Sequence, residues 1–263
     1  MEKTLDERIE RGREAVTDQA KVLEDDFGNV ASQWKEDGTR VTQTDLQVSR
    51  DIFSKLESSF PDDDYFSEEM DPGQGVLKRK GEFSWILDPV DGTNNFAIGI
   101  PTCGISLALL REGIPIYGFI YDFARKQVIE GGPGFGVRAG GTPVNVNPSL
   151  PSPTSLIALQ APEDPAKVPA VTKILSRYKI RALGSSALHI GYVAAGRING
   201  VIDHNVRIWD IAAGYALCLG AGGEVHFLNG AVFPLESFDM HMPKIHYLAG
   251  NPAICAELLE LLR

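Results

Sequence analysis

At 263 residues the chain is long enough for a full hydrophobic core, as one large domain or two fused halves. Its 43% hydrophobic and 23% charged content is ordinary for a globular protein, and its formal net charge of −10 argues against a general nucleic-acid binder. The charged start MEKTLDERIERGREAV argues against a signal peptide, and no apolar run approaches the roughly 20 residues that span a bilayer. Cys103, Cys218 and Cys255 fall in no CxxC or Cys/His spacing, which predicts a protein of the reducing cytoplasm with neither a disulfide framework nor a zinc site.

Leu5, Ile9, Val16, Ala20 and Leu23 recur at helical spacing and predict one amphipathic helix from about Leu5 to Asp25. WKEDGTRVTQTD, residues 34–45, is polar and reads as a turn or loop. Thr44 or Asp45 then caps a second helix with Leu46, Ile52, Phe53 and Leu56 inside. After the acidic loop PDDDYFSEEM come strand EFSWILD, a hairpin of ISLALLREG and IPIYGFIYD about Glu112-Gly113, and short strands QVIEG and FGVRAGG.

NPSLPSPTS, residues 147–155, carries three prolines and four Ser/Thr and reads as a linker. It sets an N-terminal α+β half, 1–146, with an antiparallel sheet, against a C-terminal α/β half, 147–263. In that second half SLIAL, KIRAL and INGVID alternate with helices AKVPAVTKILSRY, SALHIGYVAAG and DIAAGYALCLGAGG. EVHFL, HYLAG and helix PAICAELLELL follow, and the alternation predicts a mixed, partly parallel sheet.

The chemistry centres on WILDPVDGTNNF, residues 85–96. An apolar run ends in Asp88, Pro89 stops ladder pairing, and Asp91 returns on a tight turn. Gly92 permits an unusual backbone angle, and Thr93-Asn94-Asn95 supplies caps for a short helix. Carboxylates that close repel unless a cation lies between them, and oxygen ligands select Mg²⁺ or Ca²⁺ over zinc. The bland alternatives are an Asx-type turn here, a solvated loop at Glu68-Glu69, and a helix cap at Asp210.

Taken together and in order, these segments resemble the inositol monophosphatase family of Mg²⁺-dependent, lithium-sensitive phosphatases. W-x-x-D-P-x-D-G-T-x-N-F is met at every fixed position from Trp85 to Phe96, and W-D-x-A-A-G by Trp209 to Gly214. The resemblance runs from the first helix to about Asn251, with Ser67 standing where the family usually has glycine. It implies a layered αβαβα sandwich of the inositol monophosphatase/fructose-1,6-bisphosphatase type. It also implies a phosphomonoesterase that hydrolyses inositol monophosphate, or a related polyol or sugar phosphate, by in-line attack of metal-activated water.

Carried over residue by residue, Glu68, Asp88 and the Val90 carbonyl hold one Mg²⁺, and Asp88, Asp91 and Asp210 a second. A third, weaker ion lies by Glu68 near the KEDGT loop. Thr93, hydrogen-bonded to Asp45, orients the water; with Glu68 these are the catalytic residues. The Gly92 and Thr93 amides bind phosphate, Ser186 and Asp203 meet substrate hydroxyls, with an N-cap role for Ser185 or Ser186 the equal alternative, and Lys35 closes over the site from its loop. His189 reads as packing, Arg207 as a surface arginine, and His204, His226, His241 and His246 show no ligand spacing. A cytoplasmic homodimer acting on a small phosphorylated metabolite, with no nucleic-acid polymer and no membrane as partner, completes the expectation. Alternatives are histidinol phosphate, fructose 1,6-bisphosphate or a 3′(2′),5′-bisphosphate nucleotide as substrate, and an inactive relative serving in binding or regulation.

Overall fold

The computed structural model describes residues 4–34, 40–161 and 167–262. The expected first helix is broken into α1 (Leu5–Asp18) and α2 (Ala20–Asp26). Thr17 and Asp18, both poor interior helix formers, precede the break, and Gln19 stays right-handed, so the axis jogs rather than stops. Part of the 34–45 loop is ordered as a hairpin, β1 (Ser32–Trp34) antiparallel to β2 (Arg40–Thr42). Helix α3 (Gln43–Glu57) is capped by Thr42 rather than by Thr44 or Asp45. Asp45 closes the capping box from inside, accepting the Thr42 amide at 2.8 Å. The inner face is Val48, Ile52 and Leu56; Leu46 is 41% exposed and Phe53 only half-buried, both rotated off the face assigned from sequence.

The acidic loop contains a strand, β3 (Asp64–Ser67), and β4 (Leu77–Lys78) follows. Next come β5 (Phe83–Asp91), α4 (Thr93–Ile98), β6 (Gly104–Arg111), β7 (Ile114–Asp122), β8 (Gln127–Gly132), β9 (Gly136–Ala139) and β10 (Thr142–Val144). Seven of these strands form one sheet in the order β10-β9-β8-β7-β6-β5-β3, antiparallel except for β3 beside β5. Glu112 and Gly113 both take positive φ, the mirror-image turn that matches strand twist. Pro89 does not end the ladder as expected: β5 pairs with β6 through Asp88↔Ser106, bulges, and resumes at Asp91↔Gly104.

The rest of the chain is β11 (Leu156–Leu159), α5 (Val168–Arg177), β12 (Lys179–Arg181), α6 (Ser186–Ala194), β13 (Gly200–Val206) and α7 (Ile208–Gly220). It closes with β14 (Glu224–Phe227), β15 (Ser237–Phe238), β16 (Ile245–Gly250) and α8 (Pro252–Leu261). The second sheet, β12-β11-β13-β16-β14, is mixed, and β15 pairs separately with β4. All strands of the first sheet precede residue 147 and all of the second follow it.

Three cores define five layers. Trp85, Leu87 and Phe119 on one face of the first sheet pack with Val16, Leu23 and Ile52 of the N-terminal helices. Ile86, Ala108 and Ile120 on its other face meet Ile190, Ala213 and Leu217 of α6 and α7, which in turn meet Val201 and Ala249 of the second sheet. Ile174 of α5 and Ile254 and Leu258 of α8 cover the outer face through Ile157 and Leu248. Sheets on both sides explain why α6 and α7 are apolar all round. A side chain at Gly214 would lie 2.0 Å from Ile190, so only glycine lets these two helices approach so closely.

One buried polar contact anchors the frame. Arg8 donates twice to Asp63, at 2.9 and 2.7 Å, and the Trp85 indole donates to the same carboxylate at 3.0 Å. The apolar strand before the acidic motif is thereby fixed to α1 by a bidentate, charge-assisted pair. Among the described residues all three cysteines are free and buried, and no helix is long and apolar enough to cross a membrane.

Candidate active site

The parallel pairing of β3 with β5 aligns Ser67 with Leu87, so β3 ends just where β5 reaches Asp88. The Glu68 amide donates to the Leu87 carbonyl at 3.1 Å, which sets Glu68 beside Asp88. Ser106, opposite Asp88 on β6, donates to the Trp209 carbonyl at 3.3 Å and draws the first turn of α7 to the same place. Asp210 lies in that turn, its carboxylate accepting the Arg207 amide at 2.6 Å. Three distant segments thus deliver carboxylate oxygens of Glu68, Asp88 and Asp210 that all lie within 4.8 Å of one another.

Asp91 is not part of that trio. Its carboxylate is gripped by the start of α6, accepting the Ser185 hydroxyl and the Ser186 and Ala187 amides, the amides at 3.3 and 2.9 Å. Ser185, not Ser186, is the helix cap, accepting the Leu188 amide at 3.2 Å.

The electrostatics are those of crowded buried acids. Burial first, and then the charges of Glu68, Asp91, Asp210 and Asp45, push the Asp88 carboxyl well above the usual range. Burial pushes Asp91 up to about 6 against the pull of its hydrogen bonds to α6. Asp210 is raised by burial and by Asp91 and Glu68, with the Arg207 amide opposing. A site of oxygen donors that resist ionising together suits a hard divalent cation, which the four acids would hold with the Val90 carbonyl.

Thr93 borders this centre. Its hydroxyl lies 2.9 Å from the Val90 carbonyl and 3.3 Å from Asp45 Oδ1, two acceptors for one proton. Asp45 Oδ2 is occupied by the Thr42 amide and hydroxyl, which fixes the carboxylate. Gly92, at φ 83°, opens α4; a side chain there would sit 2.9 Å from the Thr102 carbonyl and 3.2 Å from that of Gly184. Gly92→Ala is therefore expected to cost about 1–3 kcal/mol through the left-handed angle alone, read as a lower midpoint in urea unfolding.

Beyond Asp91 along α6 the Ser186 hydroxyl donates to Asp203 at 3.2 Å, and the Asn205 amide donates to the same carboxylate at 2.9 Å. Asp203 is fully buried and Ser186 nearly so. Arg207 is half-buried, donating to the Met242 carbonyl, rather than a free surface side chain. Lys35 lies outside the described residues.

Sequence reasoning missed the braces. Asn95 donates its amide to the Thr102 carbonyl and hydroxyl and to the Leu183 carbonyl, at 2.7–2.9 Å, binding α4 to the segment before α6. His189, read as packing, is fully buried and also accepts the Leu183 amide at 2.9 Å, with burial lowering its pKa to about 4. Thr102 lies seven residues from Asn95 and Leu183 six from His189, but only the fold brings Leu183 to Asn95, 88 residues away. The fixed asparagine of the motif was the one signal in the sequence.

Fold and site together define a five-layered α/β enzyme built around an acidic centre for hard cations. A model of the inositol monophosphatase family matches residues 4–262. An inositol-1-monophosphatase of Mesorhizobium japonicum is 30% identical over 250 residues, covering 92% of this chain and 90% of its own. A fructose-1,6-bisphosphatase/inositol-1-monophosphatase of Thermotoga maritima is 32% identical over 208 residues, 78% of each chain. The crystal structure of extragenic suppressor protein suhB from Bartonella henselae superposes with a TM-score of 0.84 at 27% identity, covering 97% of both chains. The chain belongs to the inositol monophosphatase family, a family of metal-dependent phosphatases.

Proposed function

We propose that this protein is a Mg²⁺-dependent phosphomonoesterase that hydrolyses inositol monophosphate or a related polyol or sugar phosphate. The observation that carries the reading is the convergence of Glu68, Asp88 and Asp210 beside Thr93 and the Gly92 turn. Two ions would be held by Glu68, Asp88, the Val90 carbonyl, Asp91 and Asp210, and a third, weaker one by Glu68. Bound divalent ions neutralise phosphoryl oxygens and make water more acidic.

The chain's own groups do the rest. The Gly92 and Thr93 amides would face the phosphate, at a left-handed turn that packs against the Thr102 and Gly184 carbonyls too closely for a side chain. Asp45, fixed by Thr42, accepts from Thr93 and leaves the threonine oxygen to orient water in line with the ester. A P–O bond forms to water as the ester P–O bond breaks, and the leaving alkoxide gains a proton, giving polyol and inorganic phosphate. Ser186, held by Asp203, meets a substrate hydroxyl. The resemblance extends the proposal to a homodimer in the cytoplasm, with Lys35 closing over the site.

Thr93→Ala is expected to lower kcat by roughly 10²-fold, the scale of a lost proton-handling group, with KM little changed. Thr93→Ser, which keeps the hydroxyl, restores most of it. Function itself is tested by phosphate release from inositol 1-phosphate, fructose 1,6-bisphosphate, histidinol phosphate and adenosine 3′,5′-bisphosphate in Mg²⁺ and in EDTA. The proposal expects the highest kcat/KM on the inositol or sugar ester and no turnover in EDTA. A strong preference for histidinol phosphate or the nucleotide would replace the substrate assignment, and turnover in EDTA would remove the metal.

A further inference from the structure

A second group of metal-ligating side chains lies outside the acidic centre. Carboxylate, imidazole and thiol atoms of Glu224, His226 and Cys255 all fall within 4.8 Å of one another. No sequence spacing shows this, since His226 and Cys255 sit on different elements and meet only because α8 packs back over β14. Val225 and Phe227 turn toward the inner core, so the alternate residues Glu224 and His226 face the outer side of the sheet, where α8 lies. His226 Nε2 lies 2.8 Å from the Glu224 carboxylate, which orients the ring. Cys255 stands near the start of α8 with its side chain buried.

We propose that Glu224, His226 and Cys255 form a binding site for a zinc-class transition-metal ion, separate from the Mg²⁺ centre. Some point lies within about 2.8 Å of all three ligand atoms, against zinc–ligand bonds of roughly 2.0–2.3 Å, so closing the site takes shifts under ~1 Å. The donor chemistry sorts the two centres, because thiolate and imidazole select zinc-class ions while the acidic cluster, all oxygen, selects Mg²⁺. They are also apart in space. Cys218, whose thiol points to the Glu224 carbonyl at 3.6 Å, lies eight residues along α7 from Asp210, or about 12 Å of helix. Glu224 and His226 are partly exposed, which gives an ion a path in and leaves a coordination position for water. Burial pushes the Cys255 thiol up to about 12, so the metal-free site holds a thiol and binding releases its proton. The bound ion joins edge strand β14 to α8.

The test titrates reduced, Mg²⁺-saturated protein with Co²⁺, whose bond to a thiolate gives an intense near-ultraviolet charge-transfer band that oxygen ligands do not. One equivalent is expected to develop the band, and one equivalent of Zn²⁺ to bleach it. Cys255→Ser abolishes it, His226→Ala weakens Co²⁺ binding at least about tenfold, and Asp88→Asn leaves it intact. No band in the wild-type protein, or a band that survives Cys255→Ser, overturns the proposal. Should Cys255→Ser fail to fold, unchanged Co²⁺ affinity in folded His226→Ala overturns it equally.

Discussion

Asp88→Asn is expected to remove activity while making the metal-free protein more stable at neutral pH. The activity loss should exceed ~100-fold, the upper end of what losing even an outer partner of a metal ligand costs. The gain in stability follows from the site's electrostatics. Asp88 is buried among Glu68, Asp91, Asp210 and Asp45, so without a cation its charge opposes folding. Asparagine keeps an oxygen for the Val90 amide, 3.1 Å from Asp88 Oδ1, and discards the charge. Opposite signs in the two readouts mark a cation ligand, whereas a merely structural aspartate would lose both together. Thermal unfolding in EDTA at pH 7.5, beside phosphate release in Mg²⁺, reads both effects. Asp91→Asn makes a poorer test, because Asp91 also accepts three hydrogen bonds from α6 that an amide would match badly.

The second large effect is the dependence of stability on pH and Mg²⁺ together. The folded pKa of Asp91 lies above its usual value of 3.8, at about 6, and Asp88 and Asp210 are displaced in the same direction. A carboxyl of this kind binds more protons folded than unfolded, so stability falls as pH rises from about 4 through 6 and beyond. Asp91 alone is worth on the order of 3 kcal/mol across that window, and each kcal/mol moves Tm by roughly 2–4 °C in a domain near this size. His189 acts oppositely: its pKa, lowered to about 4, makes it lose stability as pH falls below about 6.5. Because His189 contributes with or without metal, the Tm difference between Mg²⁺ and EDTA isolates the acids. That difference should be small at pH 4.5 and grow steadily to pH 8. A constant difference would mean that Mg²⁺ acts elsewhere.

Most of the centre was legible because Asp88, Asp91 and Asp210 lie in two compact stretches, 85–96 and 209–214, whereas Glu68 alone reads as part of a solvated acidic loop. The apolar run into Asp88, the Gly92 turn and the helix holding Asp210 all declare themselves locally, and the structure brings Glu68, Asp88 and Asp210 together. What could not be read depends on contacts between distant segments. Asp63 looks like one of three acids in a loop, yet it alone meets Arg8 and Trp85. Strand β3 was hidden because an acidic stretch reads as solvated until parallel pairing with β5 buries Phe66 and Ser67. The cap of α3 was displaced to Thr42 because Thr42, Thr44 and Asp45 are all good caps, and only Asp45's bonds back to Thr42 decide between them. The zinc-class trio falls in the same class: sequence spacing argued against it, and the packing of α8 on β14 creates it.

The central claim is that Glu68, Asp88 and Asp210 are a cation site at which a phosphate ester is cleaved. Crystals grown with Mn²⁺ in place of Mg²⁺, and with inorganic phosphate, test it directly through manganese anomalous scattering. The account predicts a peak among these three carboxylates with phosphate density between it and the Gly92-Thr93 turn. Ordered carboxylates with no peak among them, or phosphate bound away from that turn, would contradict it.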